Sequence, residues 1–468
     1  MPVRIGLAAI LALLVSPAEA ATLDGRSLGL IWAVPFAGIL LSIAILPQLA
    51  PHHWERWMGP IAAVWALATL LPLALVQGLG PAADAALHVV LLEYMPFLLL
   101  LFALYTIAGG IVLQGNLRGT PALNTGFLLA GTLLASLVGT TGASMVLIRP
   151  LIRANDDRRH TVHVVVFFIF LVSNIGGALT PLGDPPLFLG FLRGVDFFWT
   201  TTALAAETAF TAGILLVVFF ALDTWLDRRD VTRPKRRDPT SDVPLRLRGG
   251  LNLVLLALLV CAIVLSGVWR PGTGLTIGSV RLETQNLLRD GAMVVLALAS
   301  LVLTERRNRR DNGFTWGPII EVAIIFAGIF LCLIPVAAAL GAGHEGAFSG
   351  LLGLVSRPDG SPNPAAYFWL TGMLSSFLDN APTYIVFFEL AGGDPVRLMG
   401  PLAHTLAAIS CGAVFMGANS YIGNAPNLLV YAIAKDRGVP MPSFGGYLLW
   451  SGGILLPVFG LVTLIFFR

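Results

Sequence analysis

Residues Leu171 to Leu189 read Leu-Val-Ser-Asn-Ile-Gly-Gly-Ala-Leu-Thr-Pro-Leu-Gly-Asp-Pro-Pro-Leu-Phe-Leu, and the fold turns on what this stretch can be. It lies in a strongly apolar region, yet it carries three Gly, three Pro, an Asn and the ionisable Asp184. Pro185 and Pro186 remove backbone donors and disfavour helix in the residue before each. Irregular backbone at membrane depth survives only where it is buried in protein or lines a wet cavity. A broken helix with a carboxylate at its break is how secondary transporters build an ion site, so an ion site is expected here.

Composition sets the surroundings. Of 468 residues, 56% are hydrophobic and only 12% charged, with a mean hydropathy of +0.82. Soluble domains carry about 25% charged residues, so the chain is an all-α polytopic membrane protein whose first partner is the lipid bilayer. Nothing in it suggests nucleic-acid binding. Cys261, Cys332 and Cys411 fall in apolar segments at unrelated spacings and give no disulfide or metal pattern. At the start, Arg4, the apolar run Ile5–Val15 and Ser16-Pro17-Ala18-Glu19-Ala20 read as a signal peptide over residues 1–20. That places the mature N-terminus outside.

Working outward from the break, most apolar segments reach the roughly 20 residues of a spanning helix. They are Leu30–Pro47, Pro60–Gly78, Val89–Leu113, Gly119–Ile148, Thr161–Leu192 with the break, Thr201–Leu222, Leu251–Trp269, a short Gly291–Thr304 that should begin nearer Leu287, Pro318–Gly341, Ala365–Leu390, Leu398–Ala434 and Gly445–Phe467. Gly119–Ile148 is interrupted by Gly139-Thr140-Thr141-Gly142, and Ala365–Leu390 by Asp379-Asn380-Ala381-Pro382. Both read as re-entrant hairpins. With both turned back at mid-membrane, the loops assigned to the cytoplasm carry 20 of the 29 Lys and Arg, as the positive-inside rule asks. A full crossing by either hairpin would spoil that bias.

The halves also match. Met373-Leu-Ser-Ser-Phe-Leu-Asp379 lies over Leu133-Leu-Ala-Ser-Leu-Val-Gly139, an offset of 240 residues (379 − 139). At the same offset Gly423 and Pro426 lie over Gly183 and Pro186, and Asn424 over Asp184. An odd number of crossings separates the hairpins, so the second copy is inverted, the layout of secondary transporters. The expected domains are repeat 1 over 21–222 (hairpin 119–148, broken helix 161–192), a basic cytoplasmic linker over 223–250, and inverted repeat 2 over 251–468 (hairpin 365–390, broken helix 398–434). Two stretches, Ser173-Asn174-Ile175-Gly176-Gly177-Ala178…Pro181-Leu182-Gly183-Asp184-Pro185-Pro186 and Phe377-Leu378-Asp379-Asn380-Ala381-Pro382-Thr383, resemble the signatures of the NhaD/ArsB/CitMHS ion-transporter superfamily. The resemblance covers nearly all of Leu30–Phe467. It implies two inverted repeats meeting at a central site, a possible homodimer, and cargo drawn from sodium and protons, citrate and other carboxylates, or arsenite.

Asp184 and Asp379 are the sharpest candidates. An ionised carboxylate at mid-membrane costs at least a few kcal/mol and usually has a function. A carboxylate that either holds a proton or coordinates a cation makes exchange simple, because both compete for one position. The structural alternative is a helix cap at a break or a hairpin tip. The resemblance pairs each hairpin tip with the neighbouring broken helix. Asp184 would then share a site with Thr140, Thr141, Ser173 and Asn174; Asp379 and Asn380 would share another with Asn419, Ser420, Asn424 and Asn427. Such oxygen-rich, thiol-free surroundings suit a hard cation such as Na⁺. Gly139, Gly142, Gly176, Gly177, Gly183, Gly417 and Gly423 are expected to supply unusual dihedrals and close approach. Glu207 and His404, inside spans, are further candidates for a proton relay.

The leading expectation is therefore a secondary active exchanger of Na⁺ or Li⁺ for H⁺, working by alternating access with no cofactor and no metal beyond its cargo. The alternative is a Na⁺- or H⁺-coupled carrier of citrate or a similar carboxylate. No Lys or Arg lies inside any break to neutralise an anion, which favours the cation. A remote alternative, an intramembrane enzyme, lacks its motifs. Asp184 follows Pro181-Leu182-Gly183, not Gly-x-Gly, and His344-Glu345 continues Gly346-Ala347-Phe348, with no second zinc-binding His. No phosphate-binding loop or ATPase domain is recognisable, so ion gradients drive the expected transport. The signal-like start points to a bacterial inner membrane.

Overall fold

The computed structural model describes residues 23–115, 117–230 and 246–468. Among these, ten helices are long and apolar enough to cross a membrane. Two antiparallel ribbons accompany them, Val112–Gln114 with Arg246–Arg248 and Gly274–Ile277 with Val280–Glu283. The chain is an all-α polytopic membrane protein. The expected signal peptide and residues 231–245 of the linker lie outside the described residues.

Three helices start earlier than expected. The helix placed at Pro60 begins at Pro51, with proline in its first turn, where the missing N–H has no intrahelical role. The segment placed at Val89 begins at Leu79 and runs through a π turn, Val90–Tyr94, to Ala108. The short Gly291–Thr304 is Thr284–Leu303. In each case the missed turns carry polar residues such as Glu55, Asp84 or Arg289, which an apolar-run criterion cuts away although helix propensity does not.

The chain forms two compact units. One comprises the described residues up to Leu100 with Ala262–Met293 and Pro318–Gly350. Here Ala33–Leu49 packs on Pro51–Gln77, and Leu28, Leu73, Ala82, Ile334 and Ala339 form a buried cluster. Trp54 is buried and donates through Nε1 to Glu321 Oε1 at 3.1 Å.

The second unit, Leu101–Cys261 with Val294–Gly317 and Leu351–Arg468, holds both hairpins and both broken helices. Helix Pro121–Val138 meets helix Thr140–Ala154 across Gly139 alone, at φ 81° and ψ 151°, a conformation open essentially to glycine. The second hairpin, Pro364–Phe377 and Asn380–Leu390, turns through extended Leu378 and Asp379. The first broken helix is Val162–Leu171, a 3₁₀ turn Ile175–Leu179, and Pro185–Leu192. The second is Ala403–Met416, a turn Gly417–Asn419, and Ala425–Asp436.

The breaks repeat each other's bonding at the offset seen in the sequence. Ser136 Oγ donates to the Gly176 carbonyl, and Ser376 Oγ to that of Met416 at 3.1 Å. Thr180 Oγ1 donates to the Ser136 carbonyl, and Ser420 Oγ to that of Ser376. The Leu182 and Ile422 amides each return a bond, at 3.2 Å, to Thr180 Oγ1 and Ser420 Oγ. Backbone groups freed by helix breaks must find partners, and these hydroxyls supply them. A Cβ at Gly183 would fall onto the Gly177 carbonyl oxygen, and one at Gly423 would lie 2.6 Å from that of Gly417. Gly139 is the only expected glycine that carries a positive φ; the others allow close approach.

Packing is crosswise. Asn380–Leu390 of the second hairpin lies on Pro185–Leu192 of the first break, while Thr140–Ala154 of the first hairpin lies on Ala425–Asp436 of the second. The base of the first hairpin is pinned by a buried network. Asp223 accepts from Arg158 Nη2 and, at 2.9 Å, from Asn124 Nδ2, and its Oδ1 lies 2.7 Å from His163 Nε2. Asn155 completes the network by exchanging amide bonds with Asn124 at 2.8 Å.

Candidate functional site

Asp184 stands immediately before helix Pro185–Leu192, in the N-cap position, in extended conformation (φ −141°, ψ 142°), with no side-chain capping bond. An N-cap aspartate ordinarily accepts from the second or third helical N–H. Of those two positions, Pro186 has no N–H to offer, and the Leu187 N–H bonds the Asp184 carbonyl instead, at 3.1 Å. The carboxylate is thereby released from capping, and it turns into the protein at 1% exposure. Asn424 repeats this arrangement before Ala425 and Pro426, again with no capping bond.

Three side chains converge on the carboxylate. Thr140 Oγ1 and Asn424 Nδ2 each donate to Oδ1 at 3.0 Å. Asn380 Nδ2 donates to Oδ2. Thr140 and Asn380 come from the two hairpin tips, and Asn424 from the opposite break. Beyond them, Asn424 Nδ2 also lies 3.2 Å from Asn174 Oδ1 and from the Ser173 carbonyl. Asn174 Nδ2 donates to Asn427 Oδ1 and to the Ile169 carbonyl, both at 2.8 Å. Ser173 Oγ sits 3.0 Å from Ser144 Oγ.

The charge of this centre is uncompensated. Among the described residues no Lys, Arg or His bonds to Asp184. Every partner is neutral, and a buried charge without a counter-charge is expensive. Asn380 is fully buried, and its Oδ1 has no hydrogen-bond partner. An amide oxygen stranded beside a lone carboxylate invites a proton or a cation.

The expected division into two half-sites is not what the side chains form. Asn380 and Asn424, expected with Asp379, bond to Asp184, and Asn427 bonds to Asn174. The packing of Asn380–Leu390 on Pro185–Leu192 is the cause, because it brings the second hairpin tip to the first break, where Thr140 of the first tip also bonds. Asp379 does act as a cap, accepting from the Ala381 amide at 3.0 Å. Asn419 and Ser420 secure the second break, Asn419 Nδ2 donating to Ser376 Oγ at 2.9 Å. Thr141 is half-buried. Glu207 is buried with Oε2 unpartnered, His404 is exposed, and neither bonds to the Asp184 cluster. Sequence reasoning missed Ser136, Ser376 and Thr180. Their signal is the 240-residue offset, which sets Ser376 over Ser136 and Ser420 over Thr180.

Comparison with known proteins adds the following. A family model described as "Putative citrate transport" matches residues 25–467. An uncharacterized transporter of Mycobacterium bovis is 26% identical over 337 residues, covering 69% of this chain and 72% of the relative. An uncharacterized transporter of Mycobacterium tuberculosis matches to the same extent.

Proposed function

The chain belongs to this citrate-transport family and is a membrane transporter, and we propose that it exchanges Na⁺ or Li⁺ for H⁺ through Asp184. The observation that carries the reading is a buried carboxylate whose partners are all neutral, next to the unpartnered Asn380 Oδ1. Two occupants relieve that arrangement. A proton neutralises Asp184, and rotation of the Asn380 amide then offers Oδ1 as acceptor to the new O–H. A hard cation is served by the same oxygens of Asp184 and Asn380, with Thr140 Oγ1 and Asn174 Oδ1 nearby. The two occupants exclude each other, so one carboxylate suffices for antiport. Asp379 supplies a second negative charge, drawing cations toward the site. The matched bonding of the breaks supports inverted repeats, the architecture that lets one site face either side in turn.

A second reading, a cation-coupled carboxylate carrier, is favoured by the family description and by the amides of Asn174, Asn380, Asn424 and Asn427. Those amides could donate to a bound carboxylate once a cation or proton has neutralised Asp184. Collapse of a pH gradient in proteoliposomes, with NaCl, LiCl, KCl or citrate added separately, separates the two. Proton efflux on NaCl or LiCl alone supports the exchanger. A response confined to citrate refutes it and promotes the carrier.

A further inference from the structure

The cation site is built on the first residues of two short helices, and both helices end at one ion pair. Helix Pro185–Leu192 begins after Asp184 and is followed by Arg193. Helix Asn380–Leu390 begins at the asparagine bonded to Asp184 and ends with Glu389 in its last turn. The helices pack together, and Arg193 Nη1 bonds Glu389 Oε1. At about 1.5 Å per residue, that pair lies about 14 Å from the site. Their side chains are 14% and 19% exposed, sheltered enough to keep more of their attraction than a surface pair does. In between, Gly190 lies so close to Tyr384 that a Cβ there would strike the phenol oxygen. The two helices are thus held at both ends and in contact along the middle.

Among the described residues the opposite pair of helices shows no such bond. At the offset of 240 residues, position 389 corresponds to Arg149 in helix Thr140–Ala154 (389 − 240), and Arg149 Nη1 is buried without a hydrogen-bond partner. The clamp is therefore peculiar to the two helices that present Asp184 and Asn380.

We propose that Arg193 and Glu389 are positioning residues for the cation site, their ion pair fixing the spacing between the Asp184 carboxylate and Asn380. The proposal rests on the reading of Asp184 as the cation ligand. Substitutions that act on a site through packed elements, without touching its ligands, change its affinity by about 2- to 30-fold. Loss of the clamp therefore weakens cation binding more than it slows turnover.

The test uses Arg193→Gln, Glu389→Gln and the charge-swapped double variant R193E/E389R in proteoliposomes, with thermal unfolding in detergent as the check on folding. Each single variant is expected to raise the half-saturating Na⁺ about tenfold while maximal rate stays within about twofold, and the swap is expected to restore the half-saturation. Unchanged half-saturation in the single variants overturns the proposal, as does a swap that folds at the wild-type midpoint without recovering. A wild type that never responds to Na⁺ or Li⁺ condemns the cargo assignment instead. The clamp is then judged on the cargo-free protein, through the unfolding midpoints of Asn380→Ala, Glu389→Gln and their combination. Non-additive shifts support a clamp that acts on the site, and additive shifts overturn it.

Discussion

Replacing Asp184 with Asn keeps the shape of the side chain and removes its charge. The carboxylate accepts from Thr140, Asn424 and Asn380; an amide in its place presents one NH₂ group that cannot accept, stranding at least one of those donors. A stranded buried donor costs about 1–3 kcal/mol. Against this, the variant abolishes a buried charge that no cationic group compensates, a relief of several kcal/mol whenever that carboxylate is ionised. The two terms nearly cancel or favour the variant, so its unfolding midpoint in detergent should be equal to or above that of the wild type. Transport should behave oppositely. At an effective dielectric of about 20, a unit charge pair 4 Å apart is worth about 4 kcal/mol. That corresponds to roughly a thousandfold in cation affinity. Na⁺-driven proton efflux in proteoliposomes should therefore vanish in a protein that is folded at least as well. An active Asp184→Asn variant would refute the reasoning. So would an inactive one whose midpoint falls by many degrees, since Asp184 would then be a structural ligand.

At Asp379, Asn retains a capping oxygen for the Ala381 amide whereas Ala does not. Asp379→Asn should keep its unfolding midpoint and show a raised half-saturating Na⁺, while Asp379→Ala should also lose about 1 kcal/mol of stability, read as a lower midpoint. Gly183→Ala drives a methyl group into the Gly177 carbonyl and should destabilise by about 1–3 kcal/mol or more, with transport lost together with folded protein on gel filtration. Asp223→Asn leaves Arg158 buried with its close ionic partner gone and should destabilise by about 3–5 kcal/mol. The half-saturating Na⁺ of its folded fraction should not change, because the network lies at the hairpin base.

Much of the second unit was legible because its chemistry is local. Pro185 and Pro186 break a helix wherever they stand, and Gly139 turns a hairpin through a dihedral that other residues avoid. The offset relating the breaks was visible in Gly183 and Gly423 and is carried through in the bonds of Ser136, Thr180, Ser376 and Ser420. What the sequence could not reveal was which tip meets which break. That depends on how Asn380–Leu390 and Pro185–Leu192 pack, a contact between residues nearly 200 positions apart with no local propensity behind it. The same limit hid the ribbon between Val112–Gln114 and Arg246–Arg248 and the network around Asp223. Asp379 could be read as either a ligand or a cap, and only the bond to the Ala381 amide shows the capping role.

The central claim is that a proton and a cation compete for Asp184, and the most direct measurement is the half-saturating Na⁺ of wild-type exchange at a series of pH values. The account predicts that acidification raises this concentration toward the limit of about tenfold per pH unit, with maximal rate little changed, as one-for-one competition at a single carboxylate requires. A half-saturation independent of pH would contradict it.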